Sequence, residues 1–324
     1  MEIDMSALRM VESERGIAMH TLVDAIQLAL HKAYLNMPGA IKESRVEIDR
    51  KTGKITVMAS EIDEDGKVIG EFDDTPSGFG RIATSTARSV IVQRLREAED
   101  AEVLGQFKDR AGTVISGQVQ QSRDPHVLRV DVGDFEAVLP QAEQIPGEQL
   151  HHGQWIRAYV VDVSRTERGP HILLSRTHPG LVAGVFAREV PEIESGQVVI
   201  EAVARESGHR TKIAVRGTSK DVNAKGACIG PMGSRVRAVM NELGGEKIDI
   251  VDFSTDPAQF ILNALSPAKV SDIEILDAEQ RMARVEVPEY QLSLAIGKEG
   301  QNARLAARLT GWKIDIHAEE ESEN

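Results

Sequence analysis

Two stretches of this 324-residue sequence combine residue types and spacing suited to contact with a polyanion. They are Cys228-Ile229-Gly230-Pro231-Met232-Gly233-Ser234-Arg235 and, sixty-seven residues later, Ala295-Ile296-Gly297-Lys298-Glu299-Gly300-Gln301-Asn302. Both contain a Gly-x-x-Gly turn. Each turn follows a helix-like run (Asp221 to Ile229; Pro288 to Ile296) and opens a second one (Gly233 to Leu243; Gly300 to Leu309). Each is also followed by the same tripeptide, Ile248-Asp249-Ile250 or Ile314-Asp315-Ile316. Two glycines around two residues let the backbone approach a bulky ligand, and the second helix directs unpaired N–H groups and its dipole at an anion. A phosphate backbone is the anion that such a duplicated turn suits.

In the second copy Lys298 lies within the turn as a phosphate cation, Gln301 and Asn302 open the following helix, and Arg304 and Arg308 share a face by their i, i+4 spacing. The first copy differs, because Pro231 and Met232 bring no cation and Pro231 has no N–H to donate. Its charge must come from Lys225 before the turn and from Arg235 and Arg237 after it. The expected contact set is therefore Lys225, Gly230, Gly233, Arg235 and Arg237 with Gly297, Lys298, Gly300, Gln301, Asn302, Arg304 and Arg308. The first loop is expected to supply contact geometry and the second a more direct phosphate contact.

The elements that position these turns repeat as well. Helix (Leu181 to Glu189), strand (Val198 to Arg205), strand (Thr211 to Arg216), helix, turn, helix (Ser234 to Leu243) and strand (Lys247 to Val251) make one unit. The second runs helix (Pro257 to Leu265), strand (Lys269 to Leu276), strand (Arg281 to Val287), helix, turn, helix (Gln301 to Leu309), strand (Trp312 to Ile316). The order αββααβ, with Gly-x-x-Gly between the second and third helices, is that of a type II KH fold, which clamps about four single-stranded nucleotides. From the first glycine to the tripeptide the copies span 18 and 17 residues, and Gly244-Gly245 accounts for the difference.

Upstream, residues 1–36 read as two helices, the first capped by Asp4 or Ser6 and ending at Gly16. The second carries the stripe Leu22, Ala25, Ile26, Ala29, Leu30, Ala33. A hairpin signal follows (Arg45 to Asp49; Lys54 to Met58), and the acidic run Glu61 to Asp74 reads as a solvated edge. Phe79 to Lys108 is helical throughout, about 45 Å at 1.5 Å per residue, with Arg81, Arg88, Arg94 and Arg96 opposite its apolar face. Such a helix is expected to set a distance between domains. Five β-rich runs then fit a Greek-key barrel of the OB type: Val114 to Val119, His126 to Val132, Phe135 to Leu139, Ile156 to Val163 and His171 to Leu174. Turn residues separate them at Asp124-Pro125, Gly133-Asp134, Pro146-Gly147 and Arg168-Gly169-Pro170. Barrels of this kind stack bases on aromatics, but Trp155 and Tyr159 lie on an apolar strand and are expected in the core, so the barrel's RNA contact should be weak.

The net charge of −13 would oppose a nucleic-acid partner if it were evenly spread. It is not: residues 1–108 carry −5, 109–178 carry −2, 179–251 carry +1 and 252–324 carry −7, with four of the last acids in the tail 319–324. Long-range steering is weak, and recognition falls to local geometry and a few placed cations. The lone cysteine, Cys228, excludes an internal disulfide and a Cys-cluster metal site, and reads as core packing in a reducing compartment. His151-His152 lack ligand spacing and read as a turn. No catalytic residue, cofactor or metal is expected, and no apolar run reaches the length of a membrane span, so a cytoplasmic protein is expected.

Several stretches resemble one family across nearly the whole chain. Gly112-Thr113-Val114, Val132 to Pro140 and Leu173-Leu174-Ser175-Arg176 are similar to the S1-type RNA-binding domain. Gly78 to Ala83, Leu174 to Thr177, Glu201 to Glu206, Asn223 to Gly230, Gly245 to Ile250 and Gln291 to Ala306 resemble the bacterial NusA family of transcription elongation factors. The resemblance implies a multidomain α+β chain: an α/β domain over 1–108 ending in the connector helix, an S1-type OB barrel over 109–178, type II KH domains over 179–252 and 253–318, and an acidic tail over 319–324. Some family members carry acidic C-terminal repeats, and this sequence reads as a shorter form without them. The resemblance further implies docking of residues 1–108 on RNA polymerase core, at the β-subunit flap near the RNA exit channel. It implies binding of nascent single-stranded RNA by the barrel and KH pair, in pausing, termination and antitermination, with other Nus factors as further partners and a monomeric state. The alternatives are an RNA-processing enzyme or a ribosome-assembly protein built on the same modules; the first lacks a defensible carboxylate cluster within residues 1–108.

Overall fold

The computed structural model describes residues 2–63, 67–122, 124, 126–133, 135–166 and 169–319. The expected acidic tail, apart from Glu319, and parts of the turns at Asp124-Pro125, Gly133-Asp134 and Arg168-Gly169 lie outside the described residues. Two compact units are present, Met1–Gln106 with Arg165–Pro170, and Phe107–Ser164 with His171–Asn324. No helix among the described residues is long and apolar enough to cross a membrane.

In the first unit α1 (Met5–Arg15) is capped by Asp4, whose carboxylate accepts from the N–H groups of Ser6 and Ala7, and it stops at Gly16 in the left-handed region. Helix α2 (Met19–Leu35) buries Leu22, Val23, Ile26, Leu30 and Tyr34. Against them lie Val46 and Ile48 of β1 (Ser44–Ile48) and Ile55 and Val57 of β2 (Ile55–Ile62). The expected hairpin is in fact a three-stranded sheet, because β3 (Val68–Asp73) forms within the acidic run and pairs antiparallel with β2. Its side chains alternate poorly between apolar and acidic, which hid it from a periodicity argument, and it is the solvated edge that its acids predict. Helix α3 (Phe79–Lys108) is unbroken over 30 residues. Arg81 and Arg88 line a surface groove along it of about 850 Å³, with Thr84, Ser85 and Ser89.

The second unit begins with a closed barrel of five strands in the order β4-β5-β6-β8-β7. These are β4 (Val114–Gln120), β5 (Val127–Asp131), β6 (Glu136–Pro140), β7 (Trp155–Thr166) and β8 (Gly169–Ser175). Alternation along β7 sends Ile156, Ala158 and Val160 inward, so Trp155 and Tyr159 point outward. Trp155 was expected in the core and is instead 67% exposed. The correction follows from strand period: a neighbour of a buried Ile156 cannot share its face. Tyr159 is half-buried and stacks on His178 at 4.1 Å. His151 and His152 occupy an exposed turn.

Helix α4 (Pro179–Glu189) ties the barrel to the first αββααβ unit. Its Gly180 and Gly184 lie so close to β7 and β4 that a Cβ would come within 2.3 Å of Tyr159 and 2.2 Å of Val114. A buried arginine completes the joint: Arg176 pairs with Glu148 of the barrel and donates to the Glu242 carbonyl at 2.9 Å. The unit continues through a short α5 (Pro191–Glu194), β9 (Val198–Glu206), β10 (Arg210–Gly217), α6 (Ala224–Ile229), α7 (Ser234–Glu242) and β11 (Lys247–Asp252). Helix α6 starts at Ala224, later than expected, because the Asn223 side chain accepts from Gly226 N–H and caps it there. The repeat is α8 (Pro257–Ala264), β12 (Asp272–Asp277), β13 (Met282–Val287), α9 (Glu289–Ile296), α10 (Gln301–Thr310) and β14 (Lys313–Ala318). Both sheets consist of an antiparallel pair followed by a parallel third strand: β9-β10-β11 and β12-β13-β14.

The two αββααβ repeats are not separate beads. One core cluster joins Ala204, Ala214 and Val251 on the first sheet to Phe260, Ile261, Ala264, Leu265 and Leu305 of the second unit. The first sheet thus has its own helices on one face and those of the second unit on the other. Lys212, fully buried, bridges them: its ammonium donates to Asp249 at 3.0 Å and to the Ser266 carbonyl at 2.8 Å.

Candidate nucleic-acid interface

The two Gly-x-x-Gly turns adopt one backbone. Gly230 and Gly297 have φ 73°, ψ 172° and φ 78°, ψ 171°. The third residues, Met232 and Glu299, are left-handed at φ 53° and φ 55°, and Gly233 and Gly300 follow at φ 73° and φ 74°. The same bond closes each turn, from Gly233 N–H to the Gly230 carbonyl at 3.0 Å and from Gly300 N–H to the Gly297 carbonyl at 3.1 Å. Pro231 therefore costs the first loop no closing bond. Neither α7 nor α10 carries a side-chain N-cap, so no capping side chain takes up the N–H groups that open these helices.

The second residue of each following helix has a structural task that its type concealed. Arg235 donates to the Ala227 carbonyl at 2.7 Å and to Glu192 at 2.8 Å. Asn302, 5% exposed, donates to the carbonyls of Ala295 at 3.0 Å and Leu265 at 3.1 Å. Each reaches back over its turn to the preceding helix end and locks the helix-turn-helix. Both were expected to touch RNA; in the structure the Asn302 amide is buried, and Arg235, its side chain 26% exposed, makes both of its bonds through Nη1.

Gln301 and Arg304 are also occupied. Glu206, the last residue of β9, accepts from Gln301 Nε2 at 2.9 Å and from Arg304 Nε at 2.5 Å. The carboxyl of Glu206 is held below its usual range by the Arg304 hydrogen bond, against a smaller opposing effect of burial. Among the described residues, four of the expected cations have no ion-pair partner within 4.0 Å: Lys225, half-buried on α6, and the exposed Arg237, Lys298 and Arg308. Lys298 sits in the second turn itself, while Arg237 lies one helical turn past the first.

Sequence reasoning passed over three features. Tyr290, 76% exposed, and Leu294, 45% exposed, lie four apart on α9 and make an apolar face beside the second loop. An apolar pair outside the buried stripe of an eight-residue helix was the signal for it. Met232, 90% exposed, places an apolar side chain at the tip of the first loop, where the second has Glu299. Glu206 lay unremarked in the Glu201–Glu206 stretch, and nothing local marks a carboxylate whose partners are 95 and 98 residues away.

The tripeptide aspartates diverge. Burial works to raise the Asp249 pKa, but Arg210 and Lys212 outweigh it and hold it below the usual range. Burial also lowers Lys212, with Asp249 opposing. Asp315 is exposed and pairs with His317 at 2.8 Å. Cys228 is fully buried, with its thiol pushed up to about 11 by burial, which leaves it a packing residue.

Family profiles described as the NusA N-terminal domain, the NusA-like first KH domain and the NusA-like second KH domain match residues 5–62, 176–253 and 257–324. The chain is 55% identical over 326 residues to the transcription termination/antitermination protein NusA of Mycobacterium tuberculosis, covering 98% of this chain and 94% of that one. It is 45% identical to the NusA protein of Bacillus subtilis, covering 97% and 90%, and 38% identical to that of Thermus thermophilus, covering 97% and 89%. Among solved structures, the N-terminal domain of NusA from B. subtilis is 34% identical over 29% of this chain and 94% of that one, with a TM-score of 0.26.

Proposed function

We infer the function from one premise: this chain belongs to the NusA family of transcription termination/antitermination proteins. It is a non-enzymatic, RNA-binding transcription factor whose tandem KH domains hold single-stranded nascent RNA. The observation that carries the RNA site is the duplicated turn, with one backbone conformation, uncapped helix N-termini and the free cations Lys298 and Arg237 beside it. A phosphate runs close to glycine backbone only where no Cβ intervenes, and the adjoining cation neutralises it.

The reading assigns roles along the chain. Residues 1–108 dock on RNA polymerase near the RNA exit channel, at the β-subunit flap. The barrel of 109–178 supports RNA contact, and the KH domains of 179–252 and 253–318 grip the strand, with Lys225, Arg237, Lys298 and Arg308 on phosphates and Tyr290 and Leu294 against bases. The protein works as a cytoplasmic monomer on the elongating polymerase, changing the odds of pausing, termination and antitermination.

Filter binding of a 12-nucleotide single-stranded RNA tests the site. The double variant Gly297→Asp, Gly300→Asp places two carboxylates where phosphates would lie and should lower affinity at least about tenfold, roughly 1.4 kcal/mol. Unchanged affinity in a folded double variant overturns the site. Co-purification with core RNA polymerase tests the docking role, and recovery of ribosomal particles in its place would point to the assembly reading.

A further inference from the structure

We propose that Glu206 is a cross-domain positioning residue, which braces the second Gly-x-x-Gly loop through Arg304 and keeps that arginine off the RNA backbone. The brace is read from geometry; its consequence for RNA rests on the RNA-binding reading above. Glu206 ends the edge strand β9 of the first KH domain, and its side chain is 16% exposed. Its two carboxylate oxygens take one donor each from the first turn of α10, Gln301 and Arg304. Arg304 uses a second nitrogen, Nη1, to donate to the Glu299 carbonyl at 3.1 Å. Glu299 is the left-handed residue of the loop, at φ 55°. A continuous path therefore runs from a carboxylate of the first domain, through one guanidinium, to the strained peptide of the second domain's loop.

The first loop offers the contrast. Arg237 stands where Arg304 stands, four residues after the last glycine of its turn, and no carboxylate meets it among the described residues. Each loop thus keeps one outward cation, but from different positions: Arg237 on the helix in the first, Lys298 in the turn in the second. An arginine with two of its nitrogens, Nε and Nη1, directed at Glu206 and Glu299 is poorly placed to follow a phosphate, whereas a lysine at the loop tip is free to. The same carboxylate fixes the spacing of the two clamps, since it joins β9 of one to the loop-bearing helix of the other.

The test uses the full chain and two readouts. Without RNA, amide hydrogen exchange at Gly300, whose N–H closes the loop, should accelerate about tenfold in Glu206→Ala and in Arg304→Gln, and stay at the wild-type rate in Lys298→Gln. Exchange in α4 reports whether the fold is intact. With a 12-nucleotide single-stranded RNA, Lys298→Gln should reduce the slope of log affinity against log salt by roughly 0.7, the value for one lost phosphate contact, and Arg304→Gln should leave the slope unchanged. Wild-type loop exchange in Glu206→Ala, with α4 intact, overturns the brace. A slope reduced in Arg304→Gln as much as in Lys298→Gln overturns the withholding of Arg304. If wild-type protein binds no RNA, the RNA-binding reading fails, and exchange still decides the brace.

Discussion

The two KH domains share element order, loop backbone and a terminal Ile-Asp-Ile strand, yet one is built as an inner layer and the other as an outer one. Register aligns Ala202, Ala204, Lys212, Ala214 and Asp249 on the first sheet with Asp272, Glu274, Arg284, Glu286 and Asp315 on the second. The first set is small or paired and lies under α8 and α10 of the second domain; the second set is charged and mostly open to solvent. A sheet face that must accept helices needs low relief and satisfied charge, and one that meets water needs neither. The difference shows that duplication conserved the backbone, while the environment decided what each repeated side chain does. Asp249 is held by two cations at the interface, and Asp315, at the same place in the strand, meets a surface histidine.

Replacing Lys212 and Arg284 by methionine in separate variants tests this contrast most strongly. Lys212→Met leaves Asp249 and the Ser266 carbonyl short of a donor in a buried place, and should cost about 3 kcal/mol, the low end for breaking a buried pair because Arg210 still holds Asp249. Arg284→Met, on the open face, should change stability by less than about 0.5 kcal/mol. Urea denaturation reads both, and equal losses would erase the distinction between inner and outer sheet.

A smaller effect is expected at the loops. Alanine at Gly230 or Gly297 meets a backbone region that glycine alone adopts readily, at about 1–3 kcal/mol each. Gly297→Ala should be the worse of the two. Its Cβ would fall 2.8 Å from the backbone nitrogen of Asn302, which is fixed in α10, whereas Gly230→Ala meets Arg235 Cγ and Cδ at 2.6 and 2.8 Å, which can shift at the expense of the Ala227 and Glu192 bonds. Thermal unfolding should rank them in that order.

The smallest effect is acid loosening at the start of α10. Glu206 has a folded-state pKa below its ordinary 4.5, so its contribution is complete above that value and is lost as pH falls through the lowered one. Exchange in the first turn of α10 should therefore accelerate on acidification below about pH 4.5, and Glu206→Gln should show no such step. A step of the same size in Glu206→Gln would remove Glu206 as its cause.

Legibility followed the range of the interaction. Asp4 and Gly16 bound α1 through contacts of a few residues, and the cap and stop were readable in order along the chain. The αββααβ order was readable for the same reason, since apolar period and turn residues are local. Edge strand β3 was missed because its alternation is broken by Gly70 and neighbouring acids, and Trp155 was misplaced because hydrophobicity was weighed above strand period.

What the sequence determined by itself is the pair of turns: two glycines at fixed spacing admit the positive φ that the loop requires, wherever the loop is placed. Which charges around those turns remain available was decided only by the tertiary structure. Arg235, Asn302 and Arg304 carry the same donors as free side chains would, but Glu192, Leu265 and Glu206, brought in from 37 to 98 residues away, claim them. A backbone preference is a property of the residue, whereas the availability of a charge is a property of its neighbours, and those are chosen by folding.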